Sequence, residues 1–202
     1  NAQRQKYEKT NAAYSTLSTL VEDLKKAADA LRTSTGFKVF TVTSSDNSVA
    51  AATAASSAAT GSHTLVVSNI AQAHKIAADG VATEATTIAA GPGSFSFQVG
   101  SGAVQTVSVD ATTTLADLKN SINGLNAGVT ATIVNDGTGA NPYRLVLTSN
   151  STGASNAVTI TQNDTSLLFS TTIQSAQDAS FKVDGFTYTR SSNTVSDVIS
   201  GV

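Results

Sequence analysis

The sequence contains no cysteine, no methionine and no tryptophan, and only two prolines. Without cysteine, a disulfide framework, a thiolate zinc site and a cysteine nucleophile are all excluded. Aromatic residues make up 5% of the chain. Its cores must therefore be built from Val, Ile, Leu and Ala with a few Phe, which favours small individual domains. Methionine is missing even at the first position, which reads as a fragment or a processed form. Charged residues are scarce at 13%, and the net charge is -2. Neither nucleic acid nor an anionic membrane is implied as a partner. No apolar run approaches the roughly 18 residues that a membrane-spanning helix requires, so no membrane insertion is expected. No signal peptide is visible. Ser, Thr, Ala, Asn and Gly fill the sequence instead, a palette that suits strands and turns.

One long helix is expected, from about Gln3 to Thr33. Tyr7, Thr10, Tyr14, Leu17, Val21, Leu24, Ala28 and Leu31 recur at spacings of three and four, and Leu20 widens this heptad seam. Arg4, Lys9, Glu22, Asp23, Lys26 and Asp29 occupy the other face. Such a helix is marginal in water by itself, so it needs a partner. Two readings remain open: packing on other helices of its own protein, or a seam with another chain or a segment outside these residues. Tyr7, Tyr14, Leu17, Val21, Leu24 and Leu31 are the candidate packing contacts. Gly36 ends the helix, Phe37 to Thr43 alternates as a strand, and the Ala/Ser/Thr-rich run from Asp46 to Gly61 reads as a partly helical connector.

From His63 onward the pattern becomes strands and turns. A strand is expected at Thr64–Ser68, followed by the segment I-A-Q-A-H-K-I-A at Ile70–Ala77; Ser94–Val99 and Val104–Val109 then form a hairpin across Gly100-Ser101-Gly102. Thr114 and Asp117 form a capping box for a short helix whose apolar stripe is Leu115, Leu118, Ile122 and Leu125, stopped by Asn126-Ala127-Gly128. Further strands are expected at Val129–Val134, Tyr143–Thr148 and Ala157–Thr161. A final hairpin, Ser180 to Arg190, turns at Asp184-Gly185, a type I′ signature. A Thr-capped helix is expected at Thr194–Ile199. The hairpin-then-helix plan thus occurs twice, either as two copies of one unit or as ordinary α+β grammar.

Little in this chain has the form of catalytic machinery. His63 and His74 lack ligand spacing and read as surface or turn histidines. The serines have no G-x-S-x-G elbow. Asp110, Asp117, Asp136, Asp164, Asp178, Asp184 and Asp197 fall mostly at turns and caps, where Asp is expected for local reasons. Gly100-Ser101-Gly102 and Gly137-Thr138-Gly139 sit inside hairpins, not at a helix start, so neither resembles a phosphate loop. Asn135-Asp136-Gly137 lacks the acidic ladder of a calcium loop and reads as a tight turn. No metal or other cofactor is implied, and an enzyme is not expected.

Several phrases together carry a resemblance. T-L-A-D-L-K-N-S-I-N, G-V-T-A-T-I-V-N-D and Y-R-L-V-L-T-S-N-S-T-G-A-S-N-A-V-T-I resemble the flagellin hook "IN" motif, named for the pair that here is Ile122-Asn123. The helix Q-R-Q-K-Y-E-K-T-N-A-A-Y-S-T-L-S-T-L-V-E-D-L, the segment L-V-V-S-N-I-A-Q-A-H-K-I-A and the run N-T-V-S-D-V-I-S-G-V narrow the match. Together they resemble the flagellar filament cap (hook-associated protein 2) family. The resemblance implies an α+β chain: a coiled-coil-like leg helix followed by a β-rich head of two small subdomains with short helices. The expected divisions are 1–61 for leg and connector, 62–90 with 158–202 for one head subdomain, and 91–157 for an inserted one. It also implies an extracellular, self-assembling cap at the flagellum tip, exported through the flagellar secretion apparatus. Its partners would be flagellin and further copies of itself. Rival readings are a secreted adhesin or glycan-binding module, with host mucin or glycans as partner, and another hook-associated protein or flagellin. The long heptad helix ahead of the β-region argues against a separate adhesin.

Overall fold

A computed structural model describes residues 2–32 and 39–202, with the backbone alone at positions 31 and 32. The fold is α+β and divides into two compact units, residues 1–62 with 196–202 and residues 63–195.

The first unit carries helix α1, Ala2–Arg32. Alanine, leucine, lysine and glutamate favour it, and neither Gly nor Pro interrupts it. Phe37 and Lys38 of the expected strand lie outside the described residues, and Val39 to Thr43 join no ladder. Alternation makes a segment fit to be a strand, but a strand also needs a neighbour to pair with. The connector from Asp46 to Gly61 is irregular chain with turns, not helix. Its Ser, Thr and Asn side chains compete for backbone groups. Asp46 Oδ1, for example, accepts from the Ser48 N–H at 2.8 Å and from Ser48 Oγ at 2.6 Å. The expected helix at Thr194–Ile199 is also absent, replaced by bends and turns. Within the first unit, Ala55 N–H donates to Gly201 C=O at 2.7 Å.

The second unit contains β1 (Leu65–Asn69), β2 (Ala73–Ala77), β3 (Gly93–Val99), β4 (Gln105–Val109), α2 (Leu115–Gly124), β5 (Val129–Asn135) and β6 (Tyr143–Thr152). After a 3-10 turn come β7 (Val158–Asn163), β8 (Thr171–Gln174), β9 (Ala179–Val183) and β10 (Phe186–Arg190). They form three antiparallel sheets in the orders β1-β9-β10, β5-β6-β2-β8 and β4-β3-β7. β2 pairs with β6, and β7 pairs with β3, so strands from outside 91–157 close the same core as strands inside it. Ile76, Ala78, Ile88, Val158 and Leu167, all outside 91–157, join the same core.

That core joins Ile76, Ile88, Phe95, Phe97, Leu115, Leu118, Ile122, Leu145, Leu147 and Leu167, with Val and Ala around them. Phe95 and Phe97 face each other at 6.4 Å between ring centroids, and Phe169 meets Phe95 at 5.6 Å. α2 is present because the capping box closes: Thr114 Oγ1 accepts from Asp117 N–H, and Asp117 Oδ2 accepts from Thr114 N–H at 3.0 Å. Leu115, Leu118 and Ile122 are its buried stripe. Leu125 does not join them; it is the residue at which the helix ends, and it is 39% exposed. Asn126, at φ 49°, then turns the chain into the left-handed region. At the β9–β10 turn, Asp184 and Gly185 both have positive φ, 51° and 87°, as a type I′ turn demands.

Leu118→Ala should destabilise the β-rich unit by about 3 kcal/mol, since the leucine is fully enclosed. Thr114→Ala should cost about 1 kcal/mol through the lost cap. Urea denaturation followed by circular dichroism measures both, and equal costs would contradict this ranking.

Candidate functional site

The first unit carries an exposed apolar stripe on α1. At about 1.5 Å per residue the helix extends roughly 46 Å. Tyr7, Tyr14, Leu17, Leu20, Val21 and Leu24 are each more than half exposed, and Leu24 reaches 70%. The backbone of Leu31 completes the stripe; its side chain lies outside the described residues. Five of the six candidate packing residues thus share one exposed helical face by their spacing. Some polar residues of α1 make local contacts. Arg4 Nε meets Glu8 Oε1 at 3.0 Å, and Lys26 Nζ lies 3.8 Å from Asp23 Oδ1. Thr10, Thr16 and Thr19 donate to the carbonyls of Lys6, Ala12 and Ser15. Thr10, the polar member of the seam, therefore turns its hydroxyl back onto its own helix.

The β-rich unit has a different chemistry. Its hydrogen-bonding side chains are mostly engaged with its own backbone. Asn123, on the last turn of α2, accepts from the Ala131 N–H through Oδ1 at 2.7 Å and donates from Nδ2 to the Ala131 C=O at 2.9 Å. Asn193 repeats this at Ala71, with distances of 2.7 and 2.9 Å. Each carboxamide satisfies both backbone groups of one residue, as a paired strand would. Sequence reasoning picked out the Ile122-Asn123 pair by resemblance but gave Asn123 no role, and it missed Asn193. An asparagine placed where neither a cap nor a turn needs it was the available signal.

The two histidines are also structural. His63 Nδ1 lies 2.7 Å from Asp184 Oδ2, while Asp184 Oδ1 accepts from the Thr64 N–H. The β9–β10 turn is thereby tied to the start of β1. His74 is not at a turn; it sits half-buried in β2, where its Nδ1 accepts from the Val158 N–H at 3.0 Å. That contact links the four-stranded sheet to β7 of the β4-β3-β7 sheet. The carboxylates behave as turn residues. The Asp136 side chain accepts from Arg144 Nε at 2.5 Å and from both Oγ1 and N–H of Thr138. Arg144, then Thr138, holds its carboxyl down at about 2. Thr112 and Thr114 act likewise on Asp110 and Asp117, lowering both. Among the described residues no group of three His, Asp or Glu side chains is placed to hold a metal ion, and no helix is long and apolar enough to cross a membrane.

The remaining exposed apolar side chains lie on strands and loops. Phe186 and Leu65 flank Val183 in one cross-strand row of β10, β9 and β1, and Phe186 is 70% exposed. Phe181 stacks on Tyr188 at 5.8 Å, with Arg190 over the same ring.

Comparison with known proteins gives consistent results. Residues 1–74 match the family model of the flagellar hook-associated protein 2 N-terminus, and residues 94–151 match that of the flagellin hook IN motif. Flagellar hook-associated protein 2 of Escherichia coli K12 is 31% identical over 203 residues, covering 92% of this chain and 42% of that protein. The B-type flagellar hook-associated protein 2 of Pseudomonas aeruginosa is 30% identical over 207 residues, covering 90% of this chain and 43% of that protein. The chain thus spans less than half the length of these curated relatives. Among solved structures, the D2–D3 domains of the E. coli flagellar cap protein FliD align with a TM-score of 0.65 at 28% identity, over 74% of this chain and 82% of that one. FliD of P. aeruginosa aligns with a TM-score of 0.59 at 28% identity, over 72% of each chain.

A carboxylate whose folded value is depressed adds stability above its unfolded value, and that stability is lost as pH falls. For Asp136 the window runs from about 4, the ordinary carboxylate value, down to about 2. Asp136→Asn should therefore flatten the acid limb of the stability profile in that window. Denaturation midpoints across that range measure it, and an unchanged acid limb would show that the Arg144 contact does not set it.

Proposed function

Because the chain belongs to the flagellar hook-associated protein 2 family, a family of structural flagellar cap proteins, we propose that it is part of the cap at the distal tip of a bacterial flagellar filament. In this reading it works outside the cell. Copies of the protein assemble with one another, hold newly exported flagellin at the growing end, promote its polymerisation and prevent its loss. The observation that carries the reading is the joint presence, in order, of the family's N-terminal region and the IN motif in one chain.

The division of labour follows from the two surfaces. Such work is mechanical: it needs contacts that form, release and form again, with no reactive group. α1 provides an uncharged apolar stripe, and Tyr7, Tyr14, Leu17, Val21, Leu24 and Leu31 are its proposed packing residues against other helices of the cap or flagellin. Burying one such side chain contributes on the order of 1.5–3 kcal/mol, so a few of them hold a helix without locking it permanently. The β-rich unit supplies the plate of the cap, where Ser- and Thr-rich surfaces give modest polar interfaces.

The test is motility. The full-length protein should restore swimming to a strain of its own species lacking this gene, and unpolymerised flagellin should disappear from the medium. Continued flagellin loss alongside normal expression would reject the capping role. The double substitution Leu17→Asp and Leu24→Asp should abolish rescue while leaving the sheet signal in circular dichroism intact. Full rescue by that variant would remove α1 from the proposed contacts.

A further inference from the structure

β5 is an edge strand of the four-stranded sheet, paired with β6 on one side only. Its sequence, Val-Thr-Ala-Thr-Ile-Val-Asn, has no charge, no proline and no glycine. Such a strand is a template for pairing with a strand like itself. Natural edges are usually blunted by Lys, Pro or a bulge. β5 has none of these: its register with β6 runs unbroken from Val129↔Ser149 to Asn135↔Tyr143. Thr130, Thr132 and Val134 are exposed on its outer face.

One side chain stands in the way. The Ala131 N–H and C=O point away from β6 and are both taken by the carboxamide of Asn123. The two-residue alternation of an antiparallel strand puts the outward groups of Val129 and Ile133 in the same row. We propose that Asn123 is an edge guard: its amide occupies the middle of the β5 pairing row and keeps a second copy of this chain from adding its own β5 there. The position suits the role. Asn123 is fixed on a helix turn whose neighbour Ile122 is fully buried, so the carboxamide is held at the edge by core packing. An added strand would have to displace both hydrogen bonds and the side chain between them. The same device at Ala71, made by Asn193, shows that this fold uses a carboxamide in place of a strand more than once. The inference concerns unwanted pairing and stands apart from the capping role.

Amide hydrogen exchange on the unaltered chain gives the first test: the Ala131 amide should be protected and the Ile133 amide should exchange freely. Asn123→Ala removes both hydrogen bonds to Ala131 and adds no charge at the edge. It should speed Ala131 exchange on the order of tenfold and raise concentration-dependent association above that of the parent in sedimentation velocity. Adding Thr132→Lys should reverse the association and leave the fast exchange. The proposal is overturned if Ala131 and Ile133 exchange alike in the parent, which decides the matter even where the variant does not fold. It is also overturned if folded Asn123→Ala sediments as the parent does.

Discussion

The core shared by the β5-β6-β2-β8 and β4-β3-β7 sheets is built on the burial of one short helix stripe. With no disulfide and few aromatics, the free energy of folding must come from aliphatic side chains packed to completion. Leu115, Leu118 and Ile122 present three fully enclosed side chains to the inner faces of two sheets. Phe95 and Phe97 come from one sheet, and Leu145 and Leu147 from the other. The capping box at Thr114 decides where the helix begins, so it also decides which residues form the stripe. A helix started one residue later would rotate the stripe by about 100° and face polar side chains to the core.

The second theme is how polar atoms are accommodated when charge is scarce. Ser, Thr, Asn and Asp cannot bury much apolar area, but they can finish backbone hydrogen bonds. Asp110, Asp136 and Asn163 close turns, and Asn123 and Asn193 act as one-residue strands. Every buried side-chain nitrogen and oxygen among the described residues has a partner. The surface of this unit has few long charged side chains.

Much of this was legible beforehand, for local reasons. Thr114 and Asp117 announced the helix start, Asp184-Gly185 announced a type I′ turn, and alternation announced β3 to β5, while β6 reads as a short apolar run, Leu145-Val146-Leu147. The failures are equally physical. Residues 39–43 alternate but find no partner strand, and Thr194 has a cap's sequence without the helix. β8 was missed because Thr171–Gln174 has only one aliphatic residue and is defined by pairing with β2. Asn123 and Asn193 act on residues 8 and 122 positions away. Only a folded chain brings those groups together.

The pairing of β1 with β9 sets a timetable as well as a shape. Leu65 meets Val183 and Val67 meets Phe181, so the first strand of the unit waits for almost the last. β2 likewise waits for β6. Contacts this far apart in sequence make for slow closure, because the chain between them must be ordered before they reward it. A chain delivered end first, N-terminus leading, could form α2 and the β3–β4 hairpin early. The three-stranded sheet that brackets them could close only after residue 190 arrived. Until then β1 would remain extended and unpaired, so that commitment to the native state belongs to the final stretch of the chain.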